Sequence, residues 1–231
     1  MPSFGEKVIR FYRRLEFREQ LPAGIRVINP FEDNRETMRI MSEFYRKFYN
    51  DNEKRHLILG INPGRFGAAV TGIPFTDTSR LQDYCGISYN GKPSYETSSV
   101  FVYEMINAFG GTPHFCRHFY INSMFPLAIT KSTKDGKEVN YNYYDSPELK
   151  AITRTAIIEN IRKQISLGTY TDTCICFGTG KNEKVLQELN SREKFFRQII
   201  PLEHPRYIMQ YKLKQKQAYI DKYLRVFETL I

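Results

Sequence analysis

The chain has 231 residues, a length that fits one α/β domain of ordinary size with room for a substantial core. Hydrophobic residues make up 41% of it against 26% charged, which excludes wholesale disorder, and no apolar run approaches the roughly 20 residues that span a bilayer. Thirty-four Lys and Arg against 25 Asp and Glu give a formal charge of +9, which favours a polyanionic partner, nucleic acid first, because neutralised phosphates release condensed counterions.

The opening MPSFGEKVIRFYRRLEF lacks the apolar centre and cleavage site of a signal peptide, so the protein is expected to stay inside the cell. Amphipathic spacing predicts helices over 6–18 and 36–49, joined by a linker holding Pro22, Gly24, Pro30 and Asn34. This helical part, residues 1–50, is expected to pack outside a sheet. HLILGINPG follows, a short apolar run that ends at Asn62, Pro63 and Gly64 and reads as a buried strand entering a turn.

The pattern recurs in HFYINSMFPLAI, which stops near Pro126, in TCICFGTGK, which stops at Gly178 and Gly180, and in FFRQIIPLEHPRY, which stops at His204 and Pro205. Helical stretches over 99–109, 147–166 and 181–189 lie between these runs. Such alternation predicts a three-layer α/β/α sandwich around a central, mostly parallel four-stranded sheet. No internal repeat, low-complexity tract or boundary divides the chain, so residues 1–231 are expected to form a single domain.

Ligands of open parallel sheets bind beyond the carboxyl ends of the strands, so the residues that close each run are the candidates for chemistry. They are Asn62, Asn122, the 178–180 turn and His204. FGTGKN has the look of a phosphate loop, but Ile175 stands where its first glycine belongs and Asn182 replaces its Ser or Thr, which excludes a nucleoside triphosphate site.

Cys85, Cys116, Cys174 and Cys176 lack paired C-x-x-C spacing and read as reduced thiols, the last two on one face of a strand in the core. His114, Cys116 and His118 alternate and each can ligate a metal, yet no second ligand pair has suitable spacing. Neither a metal nor any other cofactor is expected.

GINPGRFGAAVTGIPF resembles the first motif of the single-strand-selective monofunctional uracil-DNA glycosylases, Gly-Met-Asn-Pro-Gly followed by Phe-Gly, Thr-Gly and Pro-Phe. INSMFPLA is similar to that family's Asn-containing base-recognition strand and EHPRY to its His-Pro motif, all three in family order over roughly residues 56–207. The resemblance implies a uracil-DNA glycosylase fold and hydrolysis of the N-glycosidic bond of uracil, or of 5-substituted uracil or deaminated purines, leaving an abasic site for base excision repair.

By position, the resemblance implies that Asn62 holds the attacking water and His204 assists the leaving group. It implies that Phe75 stacks on the base and Asn122 reads its edge, with Gly60, Ile61, Pro63, Gly64 and Phe66 completing the base site. Gly64 leaves space beside C5, so hydroxymethyluracil is expected to fit. Arg65, Pro205, Arg206, Tyr207 and Lys212 are the implied DNA contacts, Arg206 and Tyr207 filling the space that a flipped nucleotide vacates. The Ser-Pro that usually follows His-Pro is missing, which shortens the wedge.

Each residue also has a plainer reading: a buried Asn at a strand end satisfies backbone groups, a lone His is structural, and Phe75 is core filler. Lys212, Lys214 and Lys216 face phosphates together on an extended segment but spread around a helix. The implied partner is single-stranded or uracil-containing duplex DNA, with no membrane, for a monomer working at the nucleoid of a bacterium or in a nucleus. A catalytically inactive DNA-binding or base-sensing module and a hydrolase of free nucleosides are the competing readings.

Overall fold

A computed structural model describes residues 1–32 and 34–231. In chain order the elements are α1 (Phe4–Arg13), β1 (Ile25–Ile28), α2 (Arg35–Phe48), β2 (Arg55–Gly60), α3 (Ala68–Thr71), α4 (Thr78–Cys85), α5 (Thr97–Ala108) and α6 (Thr112–His118). After these come β3 (Phe119–Ser123), β4 (Ala128–Ser132), β5 (Glu138–Asn140), α7 (Pro147–Ser166), β6 (Thr169–Phe177), α8 (Lys181–Glu193), β7 (Gln198–Leu202), α9 (Pro205–Tyr211), a 3-10 turn (Leu213–Gln215) and α10 (Lys216–Glu228).

The central sheet is parallel, in the order β3-β2-β6-β7. Every residue of β2 and β3 is buried, as expected of strands covered on both faces. Pro201 lies in β7, at the sheet edge, where its missing N–H removes no interior ladder bond. The chain leaves β2 toward β3 on one side and returns to β6 on the other, so the first strand sits at the topological switch point where α/β sheets open a crevice. Gly60 is level with Ser123, and Phe177 with Leu202, so the carboxyl ends form one floor.

The helices follow their caps. Ser3 accepts a hydrogen bond from the Glu6 N–H at 3.3 Å to start α1, Asn34 accepts one from Thr37 N–H at 3.0 Å to start α2, and Ser146 with Pro147 starts α7. Gly5 is obligatory, because a Cβ there would come within 2.3 Å of the Tyr45 carbonyl where α1 crosses α2. Helix α1 stops at Arg13, short of the expected 18, because Leu15 and Phe17 leave it to pack across the body. The Leu15 carbonyl accepts from Asn29 at 2.7 Å, and Phe17 meets Phe125 edge-on.

Buried apolar residues from Phe4 to Phe227 form one contiguous cluster. Inside it, the Arg55 guanidinium is 0% exposed, paired with Asp51, bonded to the Cys116 carbonyl at 3.1 Å, and flanked by the Phe4 and Tyr49 rings. All four cysteines are buried free thiols. The alternation of His114, Cys116 and His118 falls on helix α6, which turns Cys116 into the core; among the described residues no three His, Cys, Asp or Glu side chains are grouped to hold a metal. No described helix is long and apolar enough to cross a membrane.

A second, antiparallel sheet, ordered β1-β4-β5, departs from the sequence expectation. The HFYINSMFPLAI run holds two strands belonging to different sheets, because Pro126 breaks it after Ser123. Strands β4 and β5 form a hairpin around Asp135-Gly136, with Thr133 N–H donating to the Lys137 carbonyl at 2.8 Å and Gly136 at φ +77°. This small sheet delivers residues 140–143 to the carboxyl end of β2.

Of the two conformations open to the lysine run, the helical one is found. Residues 213–215 form a 3-10 turn and 216–228 a helix, so the three ammonium groups do not share one face, and Lys216 pairs with Glu104 at 2.5 Å.

Candidate active site

Beyond the carboxyl ends of β2 and β3 lies a recess of about 120 Å³, lined by Ile61, Asn62, Pro63, Gly64, Ala68, Pro74, Phe75, Glu96, Ser98, Ser123, Asn140, Asn142, His204 and Arg206. Strand β2 supplies Ile61 and Asn62 directly after its last residue. The Asn62 carboxamide is clamped: its Nδ2 donates to the Tyr141 carbonyl at 3.1 Å and its Oδ1 accepts from the Tyr143 N–H at 3.2 Å. Asn140 accepts from the Arg65 N–H at 3.1 Å, so the 140–143 segment holds the 62–65 loop at two points. A carbonyl-type oxygen has a second lone pair, which leaves Asn62 Oδ1 one site for water.

The 140–143 segment is itself anchored from below. Tyr143 donates to Asn182 Oδ1 at 2.7 Å, and Asn182 Nδ2 donates to the Phe177 carbonyl at 3.2 Å. Asn182, the residue that breaks the phosphate-loop pattern, ties the site to the end of β6.

Phe75 adopts φ +53°, a left-handed conformation that aromatic side chains rarely take and that folds tolerate where a residue must be aimed. Its ring lies over the end of β2, where Gly60 has no side chain; a Cβ there would stand 3.1 Å from the ring. The ring packs edge-on against Phe177 at 5.7 Å and lies 5.5 Å from the His204 imidazole.

His204 is the N-cap of α9. Its Nδ1 accepts from the Arg206 N–H at 3.1 Å, which leaves the proton on Nε2. Burial, reinforced by the nearby Arg206 charge, lowers its pKa to about 4. The imidazole is therefore neutral at physiological pH and offers one N–H donor.

Asn122 is not brought to the recess surface. It is fully buried, its Nδ2 donating to the Tyr120 hydroxyl at 2.6 Å and its Oδ1 accepting from the Ser123 N–H at 2.8 Å, and Ser123 occupies the wall beside it. Phe66 also lies outside, half exposed beneath the Arg65 guanidinium, 4.4 Å from the ring centroid. Pro205 is buried at the start of α9. Tyr207 is 42% exposed and packs on Tyr211 at 5.6 Å, on the outer side of α9, and Lys212 caps that helix.

Sequence reasoning missed Glu96, Ser98, Asn140 and Asn142. Glu96 lines the recess beside the loop after β2, its carboxyl occupying space that side chains at Gly64 and Gly67 would take: a Cβ at those positions would lie 2.4 and 2.0 Å from its oxygens. Burial raises the Glu96 pKa to about 7, with the Asp77 charge adding to the shift and Arg206 and Ser98 opposing it. Asp77, fully buried, caps α4 and accepts from Arg80, from the Ser99 hydroxyl at 2.6 Å and from the Glu96 N–H at 2.9 Å.

A neutral imidazole donor, a clamped carboxamide and an aromatic ring thus share one small crevice at the switch point. The family model described as the uracil DNA glycosylase superfamily matches residues 46–228. The chain belongs to the uracil DNA glycosylase superfamily. All the residues lining the crevice fall inside that match. The crystal structure of wild-type Pedobacter heparinus SMUG2 superposes with a TM-score of 0.97 and 57% identity, covering 100% of this chain and 99% of that one.

Among curated superfamily relatives, the single-strand selective monofunctional uracil DNA glycosylase of Bos taurus is 31% identical over 134 residues, 51% of this chain and 47% of that protein. The Rattus norvegicus protein of the same description is 29% identical over 131 residues, 49% and 45% of the two chains. The chain therefore spans about half the length of the curated relatives it matches.

Proposed function

We propose that this superfamily member is a monofunctional DNA glycosylase that hydrolyses the N-glycosidic bond of uracil in DNA and leaves an abasic site, acting as one domain. The observation that carries this reading is the sharing of one crevice by Asn62 and by the neutral, Nε2-protonated His204. The Bos taurus and Rattus norvegicus relatives are named as uracil DNA glycosylases, which favours the same substrate.

A crevice this small admits a single heterocycle, so the target nucleotide leaves the stack to enter it, at a cost of a few kcal/mol. Phe75 stacks on the base. As the C1′–N1 bond breaks, its electron pair departs with the base and charge collects on the pyrimidine oxygens. His204 Nε2–H donates to O2, an interaction worth about 3 kcal/mol when preorganised. The sugar acquires oxocarbenium character, and a water held on Asn62 Oδ1 adds to C1′ and sheds its proton to solvent.

Asn122 remains the candidate reader of N3–H and O4, since its carboxamide lies one residue behind the crevice wall; Tyr120 and Ser123 fix which end of the amide donates. Cytosine, with the reversed pattern, leaves both groups unpaired. Arg206, exposed at the rim, and Lys212 meet the phosphates; the substrate is single-stranded or uracil-containing duplex DNA.

The test is alkaline cleavage of a uracil-containing oligonucleotide after incubation with the protein, beside a free deoxyuridine control. Cleavage that is lost in Asn62→Ala and His204→Ala supports the reading. Release of uracil from deoxyuridine but not from the oligonucleotide would replace DNA with nucleosides as substrate, and binding without release would leave a sensing module. Borohydride trapping of a protein–DNA adduct would contradict the monofunctional assignment.

A further inference from the structure

Glu96 has no part in the mechanism above, yet it is the one carboxyl that lines the crevice among the described residues. Its position is built into the fold. Gly64 and Gly67 leave the space its oxygens occupy, and its N–H is bonded to Asp77. Its side chain does not cap α5, the helix it begins, but turns into the recess instead.

We propose that Glu96 contacts the extruded base and does so as the neutral acid, donating a hydrogen bond to a carbonyl oxygen or ring nitrogen of that base. The inference rests on the glycosylase reading and adds a substrate-binding residue to it.

Three observations favour the neutral form. Glu96 and Asp77 are neighbours, and Asp77 holds the cation: Arg80 lies 3.1 Å from it, while no described Lys, Arg or His is within ion-pair distance of Glu96. Of two adjacent carboxyls, the one without a counter-ion takes the proton. The remaining charged groups around it do not compensate. Arg206 is an exposed rim residue whose guanidinium phosphates will draw, Arg65 lies on the Phe66 ring, and His204 is neutral.

The third observation is chemical. The base departs with negative charge into the same crevice, where a carboxylate would oppose it and an O–H donor would stabilise it. DNA binding brings further negative charge and moves the equilibrium the same way. The pKa of about 7 in the free protein puts this group within reach of protonation at neutral pH.

The experiment is single-turnover release of uracil from an oligonucleotide between about pH 5.5 and pH 9, for wild type, Glu96→Leu and Glu96→Gln, with thermal unfolding and binding to abasic product as controls for folding. The expected wild-type rate falls as pH rises past Glu96 ionisation. Glu96→Leu is slower by on the order of 10²-fold at low pH, the usual loss for one preorganised donor. Glu96→Gln, a neutral donor at every pH, rescues most of that loss and removes the alkaline fall.

Glu96→Gln no faster than Glu96→Leu, or a wild-type rate that rises with pH, would overturn the neutral role in favour of a carboxylate. Glu96→Leu as fast as wild type would overturn any contact with the base. A wild type that releases no base at any pH would overturn the glycosylase reading and this inference with it, whereas the other outcomes leave that reading intact.

Discussion

Replacing His204 separates its chemical role from its structural one. Its Nδ1 caps α9 by accepting the Arg206 N–H at 3.1 Å, and its Nε2–H is free to reach the base. Asn at this position keeps a capping oxygen but is too short to present a donor where Nε2 stands; Ala loses both functions. One preorganised donor in a desolvated crevice contributes about 3 to 4 kcal/mol to the transition state, so His204→Asn should lower the single-turnover rate by on the order of 10² to 10³-fold. The cap contributes about 1 kcal/mol, so thermal unfolding should show His204→Ala less stable than His204→Asn while their rates are similar. Because its pKa is held near 4, the imidazole does not titrate between about pH 5 and 7, and in a Glu96→Gln background, which removes the carboxyl titration, the rate should be level there. Refutation would be a His204→Asn rate within about threefold of wild type, or, in the Glu96→Gln background, a rate that climbs on acidification with an apparent pKa near the ordinary histidine value.

Asp77→Ala should destabilise the fold by about 3 kcal/mol in denaturant unfolding, because it strips the partner from a largely buried Arg80 and uncaps α4. It should also move Glu96 ionisation to lower pH, since the Asp77 charge is one of the groups raising it. Arg206→Ala and Lys212→Ala should each reduce the slope of log affinity against log salt by about one, measured on a fixed oligonucleotide, with little dependence on its sequence. His204 and Glu96 should pull pH-dependent stability in opposite directions. Between about pH 4 and 6.5 the unfolded chain binds the His204 proton better, so that contribution rises with pH; between about 4.5 and 7 the folded chain binds the Glu96 proton better, so that one falls. Glu96→Gln should therefore steepen the rise of melting temperature with pH over this range, and His204→Asn should reverse it.

What could be read from the residues was whatever short-range chemistry fixes. The runs ending at Asn62, Gly178 and His204 became β2, β6 and the β7–α9 junction, because a buried apolar run stopped by Gly or Pro has few other solutions. Asn62, Phe75 and His204 met in one crevice for the same reason: they follow the carboxyl ends of parallel strands of one sheet, β2 and β7, or, for Phe75, lie on the glycine that ends β2.

Glu96 was hidden, since KPSYETSS reads as a polar surface stretch and its burial depends on two glycines some thirty residues earlier. The β1-β4-β5 sheet escaped because its strands are three to five residues long and partly exposed, too short for alternation to register, although Asp135-Gly136 was an available hairpin signal. The Asn122 carboxamide was expected at the crevice and is turned to Tyr120, a choice between two nearby partners that spacing along a strand does not decide.

The clamp that residues 140–143 place on Asn62 and Arg65 comes from a hairpin whose own turn, at Asp135-Gly136, is on the protein exterior. Reactive alignment is thus adjustable from a distance. Lengthening or stiffening that outer turn should shift the Asn62 amide within the crevice without altering any residue that lines it, giving evolution and the engineer a tuning screw outside the site itself.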